Sequence, residues 1–580
     1  MPSLTAVLVP RLQAGLAAAF GPEYADADPV LRPSRFADVQ VNAPMALAKR
    51  LGSSPRDIAA RLVEVLDVDD VCDLVEVSGP GFINLRASQA WLSGVVTEQA
   101  GDPRAGLADE PARTVVVDYS APNVAKEMHV GHLRTTVVGD ALVRILEALG
   151  HNVIRQNHIG DWGTPFGMLI ELLLDVGRDS DTAALLTSDP NAFYQQARTR
   201  FDTEPAFADA ARARVVLLQA GDPDTLAIWR ELVDASAVYF NRIYSMLDVT
   251  LRDEHLAGES RYNDDLAQVC AELEAKGLAR ISDGALCAFP QGFTGRDGGP
   301  MAMIVRKSDG GYGYATSDLA TVRYRVRELG ADRMLYVVGV TQSLHLEMVW
   351  QTAREAGWLP HDVEVTHVQI GSVLGADGKM FKTRSGDSVR LMDLLDEAVQ
   401  RARTVLAELR PDLHGDAADT IAWQIGIGAV KYADLSVAHN SEYTFDFDRM
   451  LALTGNTGPY LQYAVARIRS IYRKAGLSAP VDPASLDGPI SVAEPAERAL
   501  ALRLSTYGDV VSEVAAECTP HKLCGYLFDL AQEVSTFYET CPVLRAEPAE
   551  RASRLALLGL VERVLVQALD LLGLQAPEQM

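Results

Sequence analysis

The sequence is short of cysteine, of long apolar runs and of positive charge, and each shortage excludes something. Six cysteines (Cys72, Cys270, Cys287, Cys518, Cys524 and Cys541) are scattered through 580 residues without a C-x-x-C pair or a Cys/His cluster. Neither a disulfide framework nor a structural zinc is expected, and a reducing cytoplasm fits. No run of about 18 uninterrupted apolar residues occurs, so no membrane span is implied. The start, MPSLTAVLVPRLQAGLAAAF, is apolar in part but has no cleavage site, and acids follow at once. It reads as an amphipathic helix, not a signal peptide. Lys and Arg number 53 against 78 Asp and Glu, a net charge of −25. Such acidity argues naively against nucleic acid as a partner, but phosphate binding needs only a local basic surface.

At roughly 100–200 residues per domain, this length predicts three or four domains. Residues 1–105 form a first, α+β unit. APMALAKRLG and PRDIAARLVEVL have helical spacing, and LVEVSGPGFINLRAS reads as a strand pair around Gly79, Pro80 and Gly81. The polar stretch 102–111 is a linker. From Thr114 the texture becomes α/β. TVVVDYS is a continuous apolar strand of the kind buried on both faces of a parallel sheet. In HLRTTVVGDALVRILEALG, Leu133, Val137, Ala141, Ile145 and Leu149 recur every four residues, a helix stopped by Gly150. NVIRQN follows as a second strand, completing a βαβ unit. RMLYVVGV (333–340) and VEVTHVQI (363–370) are further strands, flanking the helical SLHLEMVWQTAREAG. A sheet domain over 112–400 thus carries a long insertion at about 165–300. From about Asp416 the chain reads as helices nearly to Met580, an all-α domain over 415–580. No internal repeat is evident.

Two segments carry chemistry. The loop SAPNVAKEMHVGH, residues 120–132, lies where a doubly wound sheet holds its ligand, after a strand and before a helix. It lacks G-x-G-x-x-G, so a dinucleotide is a poor fit. His129 and His132 can instead hydrogen-bond phosphate oxygens at the helix start, where the dipole favours an anion. Gly131 lets a flat base or ribose approach the backbone, and Lys126 offers a point charge. Downstream, GADGKMFKTRSGDSVRL (375–391) puts Lys379, Lys382 and Arg384 within six residues. Such a loop can close over a triphosphate and stabilise charge on a departing pyrophosphate. Taken singly, the first motif also fits two exposed histidines at a helix start, and the second a solvated basic hairpin. Small nucleotidyltransferases share H-x-G-H as well, but they lack an added helical domain.

Together, the two segments resemble the signature motifs of class I aminoacyl-tRNA synthetases. His129-Val-Gly-His132 looks like HIGH, and Lys379-Met-Phe-Lys382-Thr383 looks like KMSKS with Phe381 in place of serine. The longer strings VDYSAPNVAKEMHVGHLRTTVVGDAL, NHIGDWGTPFGMLI and FDFDRMLALTGNTGPYLQYAVARIRSI resemble the arginyl-tRNA synthetase family. FADVQVN and GPGFINL extend the likeness to the first hundred residues. Departures are Val130 for the commoner isoleucine, Pro165 for glutamine and Gln579 for arginine.

The resemblance implies a Rossmann-type α/β parallel-sheet catalytic domain with an insertion. An α+β amino-terminal domain resembling a tRNA-elbow module and an all-α anticodon-binding domain would flank it. It implies a two-step reaction: ATP with Mg²⁺ and L-arginine give arginyl-adenylate, and tRNA(Arg) then takes the arginyl group. A monomer is expected, with tRNA generally needed before activation. Lys126, His129, His132, Lys379 and Lys382 are the expected catalytic residues. Gly131, Met380 and Phe381 join His129, His132 and Lys382 in binding ATP. A guanidinium is held best by forked carboxylates. By resemblance these are Asp118 and Asp318, with Tyr314 beside them, Ser120 in the pocket, and Asn123 and Gln342 on the α-amino group. Tyr460, Tyr463, Arg467 and Arg473 are the candidates for tRNA contact, since single-stranded bases stack on aromatic and basic residues. Some aromatics of residues 460–474 must instead be core.

Overall fold

The computed structural model describes residues 3–295, 298–375, 377–381, 389–478, 481–485 and 488–580. The chain is arranged around the strand Thr114–Asp118. Val115, Val116 and Val117 are at most 1% exposed, because both faces of a parallel sheet are covered by its crossovers. The sheet has four strands in the order Glu364–Ile370, Arg333–Gly339, Thr114–Asp118, Asn152–Gln156, every pair parallel. Helix Val130–Ala148 makes the crossover between the last two. It lies so close to the strand end that a Cβ on Gly139 would sit 2.3 Å from Tyr119 Cβ. Gly150, at φ 88°, follows it in the left-handed region, as the sequence predicts.

From the central strand the chain moves first to one side, to Asn152–Gln156, and later to the other, to Arg333–Gly339. The loops after Thr114–Asp118 and Arg333–Gly339 therefore part in opposite directions and open a crevice at the carboxyl ends. Between those two sides lie five helices, Thr164–Val176, Asp181–Ser188, Pro190–Thr203, Pro205–Gln219 and Pro223–Leu247. Ser180, Asp189 and Asp222 cap three of them by accepting a backbone N–H three residues on. The inserted material runs past residue 300. It includes an antiparallel sheet of Ala279–Ser282, Ala285–Ala288 and Met303–Arg306.

In the first unit, helix Leu4–Phe20 buries Leu4, Leu8, Leu12 and Leu16, an i, i+4 stripe, and packs on helix Pro55–Val63, which in turn covers an antiparallel sheet. The strands Cys72–Ser78 and Phe82–Ala87 pair around the expected turn. This unit is tied to the helical region by the Arg498–Asp38 ion pair. Gln99 Nε2 also donates to the Leu504 carbonyl at 2.9 Å.

A helix precedes residue 415 as well. Helix Leu391–Leu409 precedes Gly415–Leu435 and packs on it, its buried face formed by Leu391, Leu394, Leu395, Ala398, Ala402 and Leu406. Tyr443–Thr444 pairs in parallel with Val373–Leu374, because Tyr443 and Phe445 turn their rings inward against the sheet domain.

The two regions meet across a dry ion pair. Arg134 Nε donates to Asp434 Oδ1 at 3.2 Å, both side chains are fully buried, and Arg134 Nη1 reaches the Ser441 carbonyl at 2.7 Å. Burial pushes the Asp434 carboxyl up, and Arg134 opposes that. Asp434→Ala should cost about 3–5 kcal/mol, because a buried guanidinium loses its counter-charge. A matched apolar pair, Arg134→Met with Asp434→Leu, should lose much less. Denaturant midpoints of the three chains check this, and equal losses for the single and double variants would contradict it.

Candidate active site

The loop leaving the central strand is bent in a way its sequence does not favour. Ser120, Ala121 and Ala125 take φ values of 72°, 50° and 57°, the left-handed region that side chains avoid. Groups from elsewhere hold it there. The Ala121 N–H donates to Asn157 Oδ1 at 3.0 Å, and the Ala125 N–H donates to Ser236 Oγ at 2.9 Å. Tyr244 OH lies 2.8 Å from Ser120 Oγ and accepts from Asn157 Nδ2 at 2.9 Å. Ser236 and Tyr244 belong to helix Pro223–Leu247, so the insertion fixes the shape of the loop. Burial pushes the Tyr244 phenol up to about 12, which keeps it a donor.

Beyond the bend, His129 is the N-cap of the helix. Its Nδ1 accepts the Gly131 N–H at 3.0 Å, and His132 Nδ1 accepts the His129 N–H at 3.1 Å. An imidazole that accepts at Nδ1 carries its proton on Nε2, so both rings present an outward N–H donor. Burial lowers both pKa values, assisted by Lys126 at His129 and by His129 at His132, which falls to about 3. Both rings are therefore neutral donors at a helix start. A Cβ on Gly131 would lie 2.8 Å from His129 Cε1, so glycine is needed for this ring position. Lys126 stacks on Tyr194 of the insertion, 4.3 Å from the ring centre.

The downstream segment returns to this same place. The Val130 N–H donates to the Val389 carbonyl at 3.3 Å, and the Leu391 N–H to the Met128 carbonyl at 2.9 Å. Arg390 adds ion pairs to Glu127 at 2.9 Å and Asp189 at 3.1 Å. Lys379 and Met380 are exposed in a hairpin closed by Gly375 N–H to Lys379 carbonyl, 2.8 Å. Phe381 stacks on Phe445 with centroids 5.0 Å apart, joining the hairpin to the helical region. Lys382 lies outside the described residues.

Across the crevice, helix Tyr314–Arg327 begins with exposed Tyr314, and Asp318 is one turn on. His345 Nε2 meets Asp318 Oδ2 at 2.6 Å. Glu259 faces the same acid. Burial first, then Asp318 and Asp161, raise its carboxyl to about 8. Asp161 is buried and accepts from Ser260 N–H at 2.9 Å and Ser260 Oγ at 2.6 Å. Gly258 is required there, since a Cβ would sit 2.1 Å from Asp161 Oδ2. Asn123 and Gln342 are both exposed at the crevice loops.

Two expected substrate contacts lie behind the crevice wall instead. Asp118 is 5% exposed and accepts from Arg325 Nη2 at 2.7 Å, because a carboxylate at a buried strand end needs a cation and Arg325 supplies it. Ser120 is buried with its hydroxyl between Tyr244 and Thr136, so it braces the loop. On helix Gly458–Ala475, Leu461, Val465, Ile468 and Tyr472 form the buried face. Arg469 is buried too, paired with Glu562 at 2.7 Å. Tyr463 is exposed, Tyr460 packs on Phe528, Arg467 stacks on Tyr538 at 3.9 Å, and Arg473 reaches the Glu578 carbonyl at 3.3 Å.

Glu259, His345, Asn157 and Tyr244 were missed by sequence reasoning. Asn157 opens the string NHIGDWG, which the sequence reading used only as a family likeness. Tyr244→Phe should lower stability by about 1–3 kcal/mol, since Ser120 and Asn157 each lose a buried partner. A denaturation midpoint equal to that of the unaltered chain would mean that the loop holds its bend unaided.

Comparison with known proteins covers all three parts of the chain. Residues 99–447 match the family described as tRNA synthetases class I (R), catalytic domain, and residues 461–580 the DALR anticodon binding domain. Residues 8–87 match the arginyl tRNA synthetase N terminal domain. The arginine–tRNA ligase of Thermobifida fusca is 64% identical over 575 residues, 99% of either chain. That of Frankia casuarinae is 54% identical over 570 residues, 96% of each. The solved arginyl-tRNA synthetases of Plasmodium falciparum and Thermus thermophilus superpose with TM-scores of 0.85 and 0.80. Each is 26% identical, over 100% of both chains. This chain belongs to the arginyl-tRNA synthetase family of class I aminoacyl-tRNA synthetases.

Proposed function

We infer that this chain activates L-arginine with ATP and esterifies it onto tRNA(Arg), releasing pyrophosphate and AMP. The observation that supports the reading is the pairing of residues 389–391 with 128–130, which brings the end of the downstream basic segment back to the start of the His129–His132 helix. Arginine's carboxylate attacks the α-phosphate of ATP in line, and pyrophosphate leaves. The terminal adenosine hydroxyl of tRNA then attacks the adenylate carbonyl, and AMP leaves. No protein nucleophile is needed, so the rate comes from positioning and charge stabilisation.

His129 and His132 donate Nε2–H to the phosphates, and Gly131, Met380 and Phe381 border the nucleotide. Lys126, Lys379 and Lys382 balance charge on the leaving pyrophosphate. Among the described residues no cluster of carboxylates or imidazoles could hold a metal. Mg²⁺ would accompany ATP and would help neutralise the charge on its phosphates. The guanidinium lies between Asp318 and Glu259, flanked by Tyr314, and Asn123 and Gln342 accept from the α-amino group. Asp118 and Ser120 act one layer behind, through Arg325 and Tyr244. Tyr460, Tyr463, Arg467 and Arg473 form the tRNA-facing stripe.

The domain limits follow the same reading: 1–105 for the tRNA elbow, 112–400 for catalysis with its insertion from about 165 to 300, and 415–580 for the anticodon. The enzyme works as a monomer in the cytoplasm, where tRNA and ATP are at hand.

His129→Ala or His132→Ala should slow ATP–pyrophosphate exchange by roughly 10²–10³, with a smaller effect on ATP affinity. Near-normal exchange in either variant would make the histidines structural. Arginine binding at pH 7 should release protons. Glu259 is protonated in the free pocket, with its carboxyl near 8, and must ionise to pair with a guanidinium. Arginine affinity should then rise with pH up to about 8 and level off above it. Calorimetry in buffers of different ionisation enthalpy counts these protons, and a count of zero would remove Glu259 from the pocket.

A further inference from the structure

His345 is absorbed by neither signature motif nor by the pocket reading, yet its Nε2 is 2.6 Å from the carboxylate that the reading gives to the guanidinium. It lies on helix Ser343–Glu355, half-buried, and Asp318 is similarly half-buried on helix Tyr314–Arg327. Other charged groups nearby fall into two sets. Glu259 faces both Asp318 and Asp161 from the insertion side. On the same helix as His345, Ser343 and Glu347 are turned to His367 of strand Glu364–Ile370, with Ser343 Oγ 3.2 Å from His367 Nδ1. Asp318 is therefore the one acid acting on His345 among the described residues. The Asp318 hydrogen bond raises the imidazole pKa against burial.

A site shaped for a permanent cation has to hold its acids apart from one another when no cation is bound. We propose that His345 is a positioning residue that serves as the cation of the empty pocket, holding Asp318 in its binding orientation and surrendering its charge when the arginine guanidinium arrives. The inference rests on the pocket assignment given above. The proton balance is simple. The imidazolium N–H bond at Nδ1 breaks, its electron pair stays on the ring, and the proton leaves to solvent. Nε2–H goes on donating to Asp318 Oδ2, while the guanidinium takes the remaining lone pairs of the carboxylate. At Asp318 itself, one positive charge replaces another. His345 is also a filter: it keeps the carboxylate edge-on for a fork, a geometry that an ammonium cannot use fully.

The sign of the pH effect follows from the raised imidazole pKa. Below it, arginine must displace a proton from His345 and binds more weakly. Above it, the ring is already neutral and its own contribution to the pH dependence ends. His345→Gln keeps an amide donor near the Nε2 position but cannot titrate, and His345→Ala keeps neither.

The test is calorimetry of L-arginine binding to the full chain at pH 6 and pH 8, in two buffers, for the unaltered protein and for His345→Gln, His345→Ala and Asp318→Asn. His345→Ala should weaken binding at both pH values, by about tenfold for one lost orienting hydrogen bond. His345→Gln should restore affinity at pH 8 and, at pH 6, release about one proton fewer than the unaltered chain. Equal proton release by His345→Gln, or unchanged affinity in His345→Ala, would overturn the proposal. If Asp318→Asn binds arginine normally, the pocket assignment itself fails, which is a different outcome. In the unaltered chain, histidine Cε1–H resonances give a check free of folding effects. The signal missing from His345→Gln should titrate at lower pH when arginine saturates, and an unmoved titration would also overturn the proposal.

Discussion

The crevice depends on a short stretch of backbone kept in a conformation that it would not choose. Ser120, Ala121 and Ala125 all lie in the left-handed region, at something like 1–2 kcal/mol each for residues with a Cβ. The expense is offset by hydrogen bonds from Asn157, Ser236 and Tyr244, which are buried and therefore strong. Bending the loop this way lets His129 cap the following helix and turns both imidazole Nε2–H groups outward. A loop relaxed into extended backbone would lose the cap and the two donors together.

The same bend explains why so long an insertion interrupts the sheet domain. Helix Pro223–Leu247 carries Ser236 and Tyr244 to the loop, and its Trp229 Nε1 donates to the Asp161 carbonyl at 2.8 Å. The far end of that helix is held by the anticodon-side region. Lys431 Nζ donates to the Leu247 carbonyl at 2.7 Å, and burial lowers its ammonium to about 8. Gln575 Nε2 donates to Asp248 Oδ2 at 2.7 Å, next to the helix end. One helix thus spans from the active-site loop to the helical domain, while Phe381 on Phe445 makes a second connection from the phosphate-binding hairpin.

Much of this was legible in the sequence, for identifiable reasons. The strands Thr114–Asp118 and Arg333–Gly339 announce themselves as unbroken apolar runs, and helix Val130–Ala148 by its fourfold spacing, since burial in a layered sheet imposes those patterns locally. His129, His132 and Lys379 stood out in the sequence because a phosphate site needs short, glycine-bearing, basic segments. Pairings at a distance leave no such trace. Nothing near Asp118 says that Arg325, 207 residues on, will neutralise it. Nothing near Ser120 says that Tyr244 will meet its hydroxyl. Glu259 and His345 looked like ordinary surface residues because their chemistry comes from Asp318, which only the fold brings close.

The amide protons of Ala121 and Ala125 test the central claim most directly. In native-state hydrogen exchange on the unaltered full chain, both should be strongly protected, because their N–H groups donate to the buried Asn157 and Ser236 side chains. They should also open together with helix Pro223–Leu247 instead of with the surface loops. Exchange of either amide at the rate of an open loop would contradict the claim that the insertion holds the active-site bend.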